Sequence, residues 1–586
     1  MITAADDGRL VVETRAYRLE VAATGAKATL SAPSGAYLAT LRLLAAVDRV
    51  DRADETLDLL PPRVGDDGAT IELERRSTAW EAAGTTLVCG DDALEVRTWV
   101  RGAGSVGDVH LLGGRSLVPG LPTGFLPSGS AFRSLFTPNP GDPDRLVRGA
   151  AESAVVGTSG DGEPGRGHWQ FTPAPLYLAF ATAAVDDAEA DVPDGWLDVG
   201  VVAPVDELRF VQLRYRPAEG GFAFVLDYDG HTRVDGEFRP PPLLLTPGVE
   251  SPYRGLRRHR EDLVVRGAAP APAPRETPEW WLEPIFCGWG AQCHLGAASG
   301  RPAADFATQA DYDAFLAHLE ARGVVPGTVV VDDKWQAEYG TCTPDEAKWP
   351  DLRGWVAERR ERGQHVLLWW KAWDPEGLPP ELCVRDPDGR PVAVDPGNPA
   401  AREELARIVT DMLGRDGIDA DGLKIDFTAR TPSGHALSAH GPRWGIALLH
   451  ELLAVVHRAA KAAKPDALVI THTPHPAFVD VTDMIRLNDM IRAEDRGPVP
   501  AVVRQMRYRA AVTRAACPEL PIDTDDWCVP DLRTWRAYLD AKVDLGVPAL
   551  YYVSNVDSTG EQLTDGDYDA IRRRWDAWRA SIPARR

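Results

Sequence analysis

The first 250 residues alternate largely between apolar and polar positions in short runs, with clusters of Gly, Pro and Asp between them. A period of two is typical of strands that bury one face, and the Gly, Pro and Asp clusters are typical of turns. This pattern predicts a large antiparallel sandwich over residues 1–250. Clear examples of such runs are residues 9–14, 69–74, 93–100 and 208–215.

The next segment, residues 251–275, differs in both pattern and composition. A helical stretch at 253–265 precedes residues 268–274, which read Ala-Ala-Pro-Ala-Pro-Ala-Pro. Alternating Ala and Pro favours a stiff, extended spacer rather than helix or sheet. We therefore predict a domain boundary here. A polar, proline-rich loop at 136–144 is either a solvent loop or a lid that reaches across to the second domain.

From residue 276 to 586 apolar strand-like runs alternate with helical stretches, for example at 309–322, 352–362, 400–415, 444–463 and 500–516. Alternating strands and helices in this number favour a (β/α)8 TIM barrel. The connection between the fifth and sixth strands is too short for a full helix. The eight strands are predicted at residues 284–289, 328–333, 365–371, 423–427, 467–472, 484–489, 520–527 and 549–553.

Polar and aromatic side chains collect at the C-terminal ends of seven of these strands. In a barrel of this kind those ends meet at one face, which carries the active site. Stability alone gives no reason to converge so many carboxylates there, because a buried charge is costly unless it is paired or used. The candidate site residues are Trp289, Asp332, Asp333, Trp335, Trp370, Lys371, Asp374, Lys424, Asp426, His472, Arg486 and Asp489.

Two of these carboxylates suit glycoside hydrolysis, which uses a pair that flanks the scissile bond. Asp426 ends the fourth strand, and the nearby Lys424 would favour its ionised form, as a nucleophile requires. Asp489 ends the sixth strand and is the candidate general acid/base, which must hold a proton near neutral pH.

The choice of the acid depends on its neighbours. Arg486 could bind a sugar hydroxyl, but it could also depress the pKa of Asp489 and spoil its acid role. Asp480 and Asp483 are rival candidates, and Asp489 ranks above them because it ends its strand.

Two motifs resemble a known enzyme family. Residues 331–336 (Val-Asp-Asp-Lys-Trp-Gln) resemble the Asp-Asp-Gly-Trp stretch of the α-galactosidase-like glycosidases of family 36, with Lys334 in place of the glycine. Residues 423–427 (Leu-Lys-Ile-Asp-Phe) resemble the Lys-x-Asp nucleophile strand of that family. Families 27 and 31 are more loosely similar.

The resemblance implies an N-terminal β-supersandwich, a linker and a catalytic (β/α)8 barrel. It also implies retaining hydrolysis of a terminal α-linked sugar by double displacement. In this resemblance Asp332, Asp333 and Trp335 hold the sugar and Lys424 contacts it. Asp426 is the nucleophile, and Asp489 stands at the position of the acid/base.

Charge and composition restrict the partners. A net charge of -23 argues against nucleic acid or an anionic membrane as a partner. The seven cysteines show no CxxC pair and suggest neither a disulfide framework nor a zinc site. The start of the chain lacks a secretory signal, and no stretch is apolar enough to span a bilayer. We expect a cytoplasmic, cofactor-free protein that binds a small-molecule or oligosaccharide substrate; a homo-oligomer is compatible with the sequence.

Several alternatives share these residues. A transglycosylase would use the same two carboxylates. A metal-dependent barrel hydrolase would use the Asp523, Asp525 and Asp526 cluster with His472 and His475, although lysines at the same mouth would repel a dication. A non-catalytic carbohydrate-binding protein would need the aromatic side chains alone.

The substrate could also be anionic. Lys334, Lys371 and Arg486 would suit a sugar that carries a carboxylate or sulfonate. Alternatively, these cations neutralise the crowded aspartates.

Overall fold

The computed structural model describes residues 2–139, 146–159, 170–273, 276–495 and 497–582. An all-β region (the N-terminal region, residues 2–249) precedes a region of parallel strands and helices (the barrel region, residues 285–582). The chain therefore has a multidomain α/β fold with mixed sheets. From residue 140 to 144 the predicted polar loop lies outside the described residues.

The N-terminal region consists of short strands in chain order. Most neighbours along the chain pair antiparallel, as in the hairpins of the first four strands. The strands are β1 (Ile2–Ala4), β2 (Leu10–Glu13), β3 (Arg18–Val21), β4 (Lys27–Ser31), β5 (Tyr37–Arg42), β6 (Ala46–Arg49), β7 (Glu55–Leu59), β8 (Arg63–Val64), β9 (Thr70–Ser77), β10 (Ala82–Cys89), β11 (Leu94–Leu111), β12 (Gly113–Ser116), β13 (Gly124–Ser130), β14 (Ser134–Phe136), β15 (Val147–Gly149), β16 (Ala154–Val156), β17 (Tyr177–Ala181), β18 (Trp196–Val201), β19 (Leu213–Ala218), β20 (Gly221–Asp227), β21 (Arg233–Phe238) and β22 (Leu243–Val249).

The 18-residue strand β11 holds this region together. It pairs antiparallel with β6, β10, β20, β21 and β22 and so joins strands from both ends of the region. The predicted runs at 9–14, 69–74 and 93–100 each overlap an observed strand, namely β2, β9 and β11, and the last two strands continue beyond the predicted runs.

Only the last three residues of the predicted run at 208–215 belong to a strand, because β19 begins at Leu213. The preceding residues are irregular, and the carbonyls of Leu208 and Phe210 accept hydrogen bonds from the backbone N–H groups of Ala447 and Ile446 at 3.0 and 3.1 Å. Those N–H groups belong to the first turn of a helix in the barrel region and have no partner within the helix. The segment therefore caps a helix instead of extending the strand.

Among its described residues the barrel region contains ten strands, and the parallel ones alternate with helices. The described part of the chain has nine α-helices, of which α1 precedes the barrel region. The strands are β23 (Ile285–Cys287), β24 (Thr328–Val331), β25 (His365–Lys371), β26 (Cys383–Arg385), β27 (Pro391–Val394), β28 (Gly422–Asp426), β29 (Leu468–Thr471), β30 (Met484–Arg486), β31 (Ile522–Asp523) and β32 (Ala549–Leu550). The helices are α1 (Pro252–Val265), α2 (Trp289–Ser299), α3 (Gln309–Glu320), α4 (Leu352–Glu361), α5 (Pro399–Leu413), α6 (Gly445–Ala463), α7 (Ala501–Ala516), α8 (Leu532–Leu545) and α9 (Asp565–Ser581).

Eight parallel strands form a barrel-like sheet in the order β31-β30-β29-β28-β25-β24-β23-β32. A parallel bridge between Asp523 and Val547, just before β32, closes the ring. Each strand lies within or next to its predicted position. As predicted, the short connection between β29 and β30 has no α-helix, only a 3-10 turn at Pro476–Phe478. Helix α1 packs beside this turn and against α7, so a helix from the linker segment covers the gap.

The predicted Ala/Pro spacer is partly docked rather than fully extended. Gly267 has a left-handed backbone (φ 69°), and the N–H of Ala268 donates to the Leu263 carbonyl at 2.7 Å. This turn buries Ala268 and Ala269 against Val202 and Leu244 of the N-terminal region. The described spacer residues after Ala269 are not part of this apolar cluster. Among the described helices, none combines the length and the apolar character needed to cross a membrane.

Candidate active site

A cavity of about 140 Å³ lies at the C-terminal ends of the barrel strands. Most of the predicted site residues line it, together with four residues that the sequence analysis did not name as site residues. The predicted lining residues are Trp289, Asp332, Asp333, Lys424, Asp426, Arg486 and Asp489, and the additional ones are Trp369, Phe427, Trp527 and Tyr551.

Asp426 is the last residue of β28 and is held in place from three sides. Its Oδ1 accepts hydrogen bonds from Arg486 Nη2 at 3.0 Å and from the Phe427 N–H at 2.9 Å. Its Oδ2 lies 3.3 Å from Trp369 Nε1, which donates to it. Burial alone would raise the pKa of Asp426, but the Arg486 charge, the Lys424 charge and the Phe427 N–H together outweigh it and hold the pKa well below its usual range. Asp426 is therefore an ionised carboxylate at the cavity wall.

Lys424 lies deeper in the barrel and pairs directly with Asp332 rather than with Asp426. Its Nζ is 2.7 Å from Asp332 Oδ2, and both side chains are almost fully buried. The Cys287 thiol donates to the same carboxylate oxygen at 3.0 Å. Burial would lower the pKa of Lys424, but the negative charges around it, that of Asp332 above all, together keep it above its usual value. The lysine still acts on Asp426 through space and lowers its pKa.

Asp333, next to this ion pair, has a different protonation behaviour. Burial, and then the Asp332 charge, raise the pKa of Asp333 to about 6. One of its oxygens accepts a hydrogen bond from the Tyr339 hydroxyl at 2.9 Å. Asp333 can therefore accept hydrogen bonds from a ligand in the cavity and, below about pH 6, can also donate one.

Asp489 contrasts with Asp426 in charge state. Arg486 Nη1 lies 3.2 Å from Asp489 Oδ1. Burial is the largest effect on Asp489, and together with the charges of Asp525 and Asp426 it raises the pKa to about 7, against the opposing effect of Arg486. The expected depression of this pKa by Arg486 is thus outweighed. Near neutral pH Asp426 is therefore ionised, whereas Asp489 still holds a proton in about half of the molecules.

A second arginine fixes the backbone around Asp489. Arg509 of α7 is fully buried, and its Nη1 donates to the carbonyls of Leu487, Asn488 and Asp489 at 2.9, 2.8 and 2.7 Å. Burial lowers the pKa of Arg509 to about 10, so the group remains a cation. The loop that carries Asp489 is therefore tied to a helix.

The two rival acids lie elsewhere. Asp480 is half exposed and pairs with His450 at 3.3 Å. Asp483 is fully buried, pairs with Lys461 at 2.7 Å and accepts the Val469 N–H at 3.0 Å. Neither lines the cavity, and the pKa of each is lowered despite burial. Of the three candidates, only Asp489 is placed and protonated as an acid requires.

The predicted aromatic residues Trp335 and Trp370 do not reach the cavity. The Trp335 side chain is completely buried, and its indole N–H donates to the Trp369 carbonyl at 2.8 Å. Trp370 packs in the core outside the barrel sheet, whereas Trp369, one position earlier, lines the cavity. Successive side chains of a strand point to opposite faces, so the two tryptophans cannot both face inward.

The predicted residues Lys371 and Asp374 pair with each other at 2.7 Å outside the cavity lining. Lys334, which the anionic-sugar hypothesis also uses, pairs with Glu376 at 3.1 Å. The ammonium groups of Lys334 and Lys371 lie 3.8 and 3.9 Å from the centroid of the Tyr339 ring. Each lysine is thus neutralised by its own carboxylate, and both stabilise the tyrosine that contacts Asp333.

The predicted residue His472 connects the site to the N-terminal region. Its Nε2 is hydrogen-bonded to the Thr428 hydroxyl at 2.7 Å, and Thr428 in turn is hydrogen-bonded to Thr172. Burial lowers the pKa of His472 to about 3, so the ring is neutral. Asn488 donates to the carbonyl of Gln170 at 2.7 Å. Residues 170–172 therefore contact the loops that follow Asp426 and precede Asp489.

The acidic cluster after β31 is already paired with cations. Asp525 Oδ2 lies 2.7 Å from Arg486 Nη1, and Asp526 Oδ1 lies 2.6 Å from Lys542 Nζ. Over the described ranges, no three His, Cys, Asp or Glu side chains are arranged to hold a metal ion.

No known family model matches the chain, and no curated protein matches it significantly. Its structural neighbours are glycoside hydrolases. A family GH31 sulfoquinovosidase from E. rectale, in complex with an aza-sugar inhibitor, matches with a TM-score of 0.58 and 11% identity, covering 100% of this chain and 83% of that one. An α-galactosidase from Thermus thermophilus, in complex with stachyose, matches with a TM-score of 0.51 and 16% identity, covering 88% and 99%.

A cycloalternan-degrading enzyme from Trueperella pyogenes matches with a TM-score of 0.52 and 13% identity, covering 92% of this chain and 80% of that one. At such low identities these matches show a shared fold.

The sequence identifies the four unpredicted lining residues to different degrees. Tyr551 directly follows β32, so the rule applied to the other seven strand ends identifies it. Identifying Trp369 requires knowing which side chains of β25 point into the barrel. A strand that is apolar on both faces does not reveal this. Phe427 and Trp527 each follow an aspartate at a strand end, and the sequence does not distinguish them from residues that only end a strand.

Proposed function

We propose that this protein is a retaining α-glycoside hydrolase that cleaves a terminal α-linked sugar. The observation that carries the proposal is the pair of cavity carboxylates with opposite protonation states, Asp426 ionised and Asp489 with a pKa of about 7. Glycoside hydrolysis needs such a pair, one as nucleophile and one as acid. The names of the neighbours, which include an α-galactosidase, support the same reaction class.

In the proposed first step Asp426 attacks the anomeric carbon of the bound sugar while Asp489 gives its proton to the departing glycosidic oxygen. This leaves a covalent glycosyl-enzyme and an ionised Asp489. In the second step Asp489 takes a proton from water, which attacks the anomeric carbon and releases Asp426. Trp369 and Arg486, which bond to Asp426, hold its two oxygens in place throughout.

The size and the charge of the cavity support a single neutral sugar ring as the group that the enzyme releases from its substrate. It is smaller than the ~300–1,000 Å³ typical of sites for drug-sized ligands. Its charged lining consists of four aspartates against Lys424 and Arg486, both of which are already paired. Lys334 and Lys371 are paired with carboxylates as well, which disfavours the anionic-sugar alternative.

The proposal includes the finer fold assignment. We assign the N-terminal region to a β-supersandwich and the barrel region to a catalytic (β/α)8 barrel, in which active sites lie at the C-terminal strand ends. The domain limits 1–250, 251–275 and 276–586, the cytoplasmic location and self-association stay predictions.

A panel of aryl α- and β-glycosides of neutral and acidic sugars tests the reaction and its substrate class. We expect release of the aryl group from neutral α-glycosides, with the α-anomer of the sugar as first product by NMR. Absence of turnover across the panel would contradict the proposal. A preference for acidic glycosides would overturn the neutral-sugar assignment alone.

The variant Asp426→Asn tests the nucleophile. We expect kcat to fall by at least about 10³-fold, because the covalent intermediate cannot form. Binding of the product sugar, measured by calorimetry, should persist. Unchanged turnover would remove Asp426 from the mechanism, and Asp480→Asn serves as the control because Asp480 lies outside the cavity.

The same wild-type assay with an added acceptor sugar separates hydrolysis from glycosyl transfer. Hydrolysis predicts free sugar as the main product at all acceptor concentrations. A transfer product that dominates would favour the transglycosylase alternative, which uses the same two carboxylates.

A further inference from the structure

One buried guanidinium contacts three carboxylates at the base of the site. The Arg486 side chain is 1% exposed. Its Nη1 lies 2.7 Å from Asp525 Oδ2 and 3.2 Å from Asp489 Oδ1, and its Nη2 lies 3.0 Å from Asp426 Oδ1. Asp525 and Asp489 therefore share one nitrogen, and Asp525 is the closer of the two.

This arrangement answers a chemical difficulty. An arginine beside a carboxylate favours the ionised form, which a general acid cannot use. Asp426 offsets part of the Arg486 charge, but it must also act as nucleophile. Asp525 does not line the cavity, so its negative charge is always available to Arg486.

Asp525 is built to stay in this position. It is fully buried, and its Oδ1 accepts the N–H groups of Asp526 at 2.6 Å and Trp527 at 3.0 Å. Its own N–H donates to Asp523 Oδ1 at 2.9 Å. These bonds leave Oδ2 for Arg486. The carboxylate is thus fixed before any substrate binds.

We propose that Asp525 is a positioning residue for the reaction proposed above: it anchors Arg486 and balances its charge, so that Asp489 keeps a proton while Asp426 stays ionised. The inference rests on the proposed function. It adds a residue that touches neither the substrate nor the reacting atoms.

Other charged or titratable groups face Asp489 from every neighbouring element. Their charges are unchanged by a substitution at position 525, so they provide a constant background. They are Lys424 and Asp426 of β28, Cys293 of α2, Arg486 of β30, Arg509 of α7 and Cys528, which follows β31. Asp523 of β31 contacts Asp525 rather than Asp489, and burial and then the Asp525 charge raise its pKa to about 6.

The test is the pH dependence of kcat/KM in Asp525→Asn. With the carboxylate gone, Arg486 acts more strongly on Asp489, and the alkaline limb should move to lower pH by about one unit or more. The loss of rate should be larger for an alkyl glycoside than for an aryl glycoside with a good leaving group, because only the former needs a proton. An unmoved limb would overturn the inference.

Asp526→Asn is the matched control. Asp526 is an adjacent, fully buried aspartate that pairs with Lys542 and not with Arg486. Its amide should lower stability, since it leaves a buried lysine uncompensated, but should leave the alkaline limb in place. A shift of the limb equal to that of Asp525→Asn would show a general structural effect and overturn the inference.

A double variant covers the case in which Asp525→Asn does not fold. Arg486→Met with Asp525→Asn removes both buried charges, which is often tolerated where removal of one is not. If Asp525 acts through Arg486, the alkaline limb of this variant should lie at or above that of the wild type. A lower limb would contradict the inference. An inactive wild type refutes the proposed function as well, whereas an active wild type with an unmoved limb refutes the inference alone.

Discussion

Two aspartates at one cavity have opposite charge states because their hydrogen bonds differ, although both are about four-fifths buried. Asp426 accepts hydrogen bonds from an arginine, an indole and a backbone N–H. Among the described side chains, Asp489 bonds to Arg486 alone, at 3.2 Å, and it faces the negative charges of Asp525 and Asp426. Hydrogen bonds to the charged form lower a carboxylate pKa, and burial without them raises it. The chemistry therefore depends on the surroundings of each residue and not on its type.

The raised pKa of Asp489 has a cost in stability. An aspartate titrates near 3.9 in an unfolded chain, so the folded state holds this proton up to about pH 7 and loses stability as the pH rises between these values. Asp489→Asn has no such loss. We expect Asp489→Asn to be more stable than the wild type relative to its position at low pH. The difference between the two free energies of unfolding should be about 1–2 kcal/mol larger at about pH 8 than at about pH 5.5.

Urea denaturation at the two pH values measures this difference. Asp480→Asn is the control, because the pKa of Asp480 is lowered and its removal brings no gain at high pH. An equal effect of Asp489→Asn at both pH values would contradict the assigned pKa.

The identities of the two catalytic candidates were predictable from the sequence, because each ends an apolar strand. Their charge states were not. Asp525, which balances Arg486, was visible only as one member of an acidic cluster, since β31 is two residues long and gives no register for the residues after it. Similarly, the pairing of Lys424 with Asp332 needs a contact between residues 92 positions apart.

At the scale of elements, several strand ends of the barrel turn through left-handed backbone at residues other than glycine. Phe427 (φ 58°) follows Asp426, Asn488 (φ 65°) precedes Asp489, and Asp525 (φ 53°) follows β31. Lys334 (φ 73°) follows the Asp332 and Asp333 pair. Such conformations are unfavourable for residues with a Cβ and concentrate at functional sites. The turns redirect the chain at the cavity mouth.

Lys334 allows a direct test of this strain. Lys334→Gly and Lys334→Ala both lose the Glu376 pair, but only glycine adopts φ 73° without strain. We expect the glycine variant to be more stable than the alanine variant by about 0.5–1 kcal/mol. Chemical denaturation measures the difference, and an alanine variant at least as stable as the glycine variant would contradict the strain.

Ala357, an exposed residue within α4, provides the control for that comparison. Here the order should reverse, because alanine is the better helix former. We expect Ala357→Gly to be less stable than the wild type by about 1 kcal/mol.

The strand and helix positions were well predicted, because periods of two and 3.6 are strong signals over these lengths. The left-handed turns were not, because lysine and phenylalanine carry no turn signal, and Asn488 and Asp525 stand at strand ends without a neighbouring Gly or Pro. Only the family resemblance pointed to one of them, as the family has glycine where this chain has Lys334. The capping role of Leu208 and Phe210 also escaped prediction, since it depends on a helix more than 200 residues away.

At the scale of the whole molecule, polar contacts join the two regions. Besides the contacts of residues 170–172, His231 of the N-terminal region bonds to the Gly434 carbonyl at 2.6 Å, and Arg260 of the linker helix α1 pairs with Glu519 of the barrel region at 3.0 Å. Separation of the regions would leave these groups and the first turn of α6 without partners. Buried polar groups without partners are costly, so we expect neither half to keep its native structure at the interface.

A protease site inserted within residues 270–273 tests this dependence. After cleavage we expect the halves to remain together on size exclusion and to keep activity. The barrel half purified away from the other should have lost at least about 10²-fold in kcat, because Thr428 and Asn488 lose the partners that hold their loops. The uncleaved insertion variant is the control. Full activity in the isolated barrel half would contradict the dependence.

The contact between Asn488 and the Gln170 carbonyl joins positions 318 residues apart. It places one end of the loop that carries Asp489 under the influence of a segment of the N-terminal region. Substitutions in that segment can change turnover without altering any residue of the cavity, and their effects will depend on the residue that stands at position 488. Directed evolution of this protein should therefore vary both regions together, because improvements selected in one will be epistatic with the other.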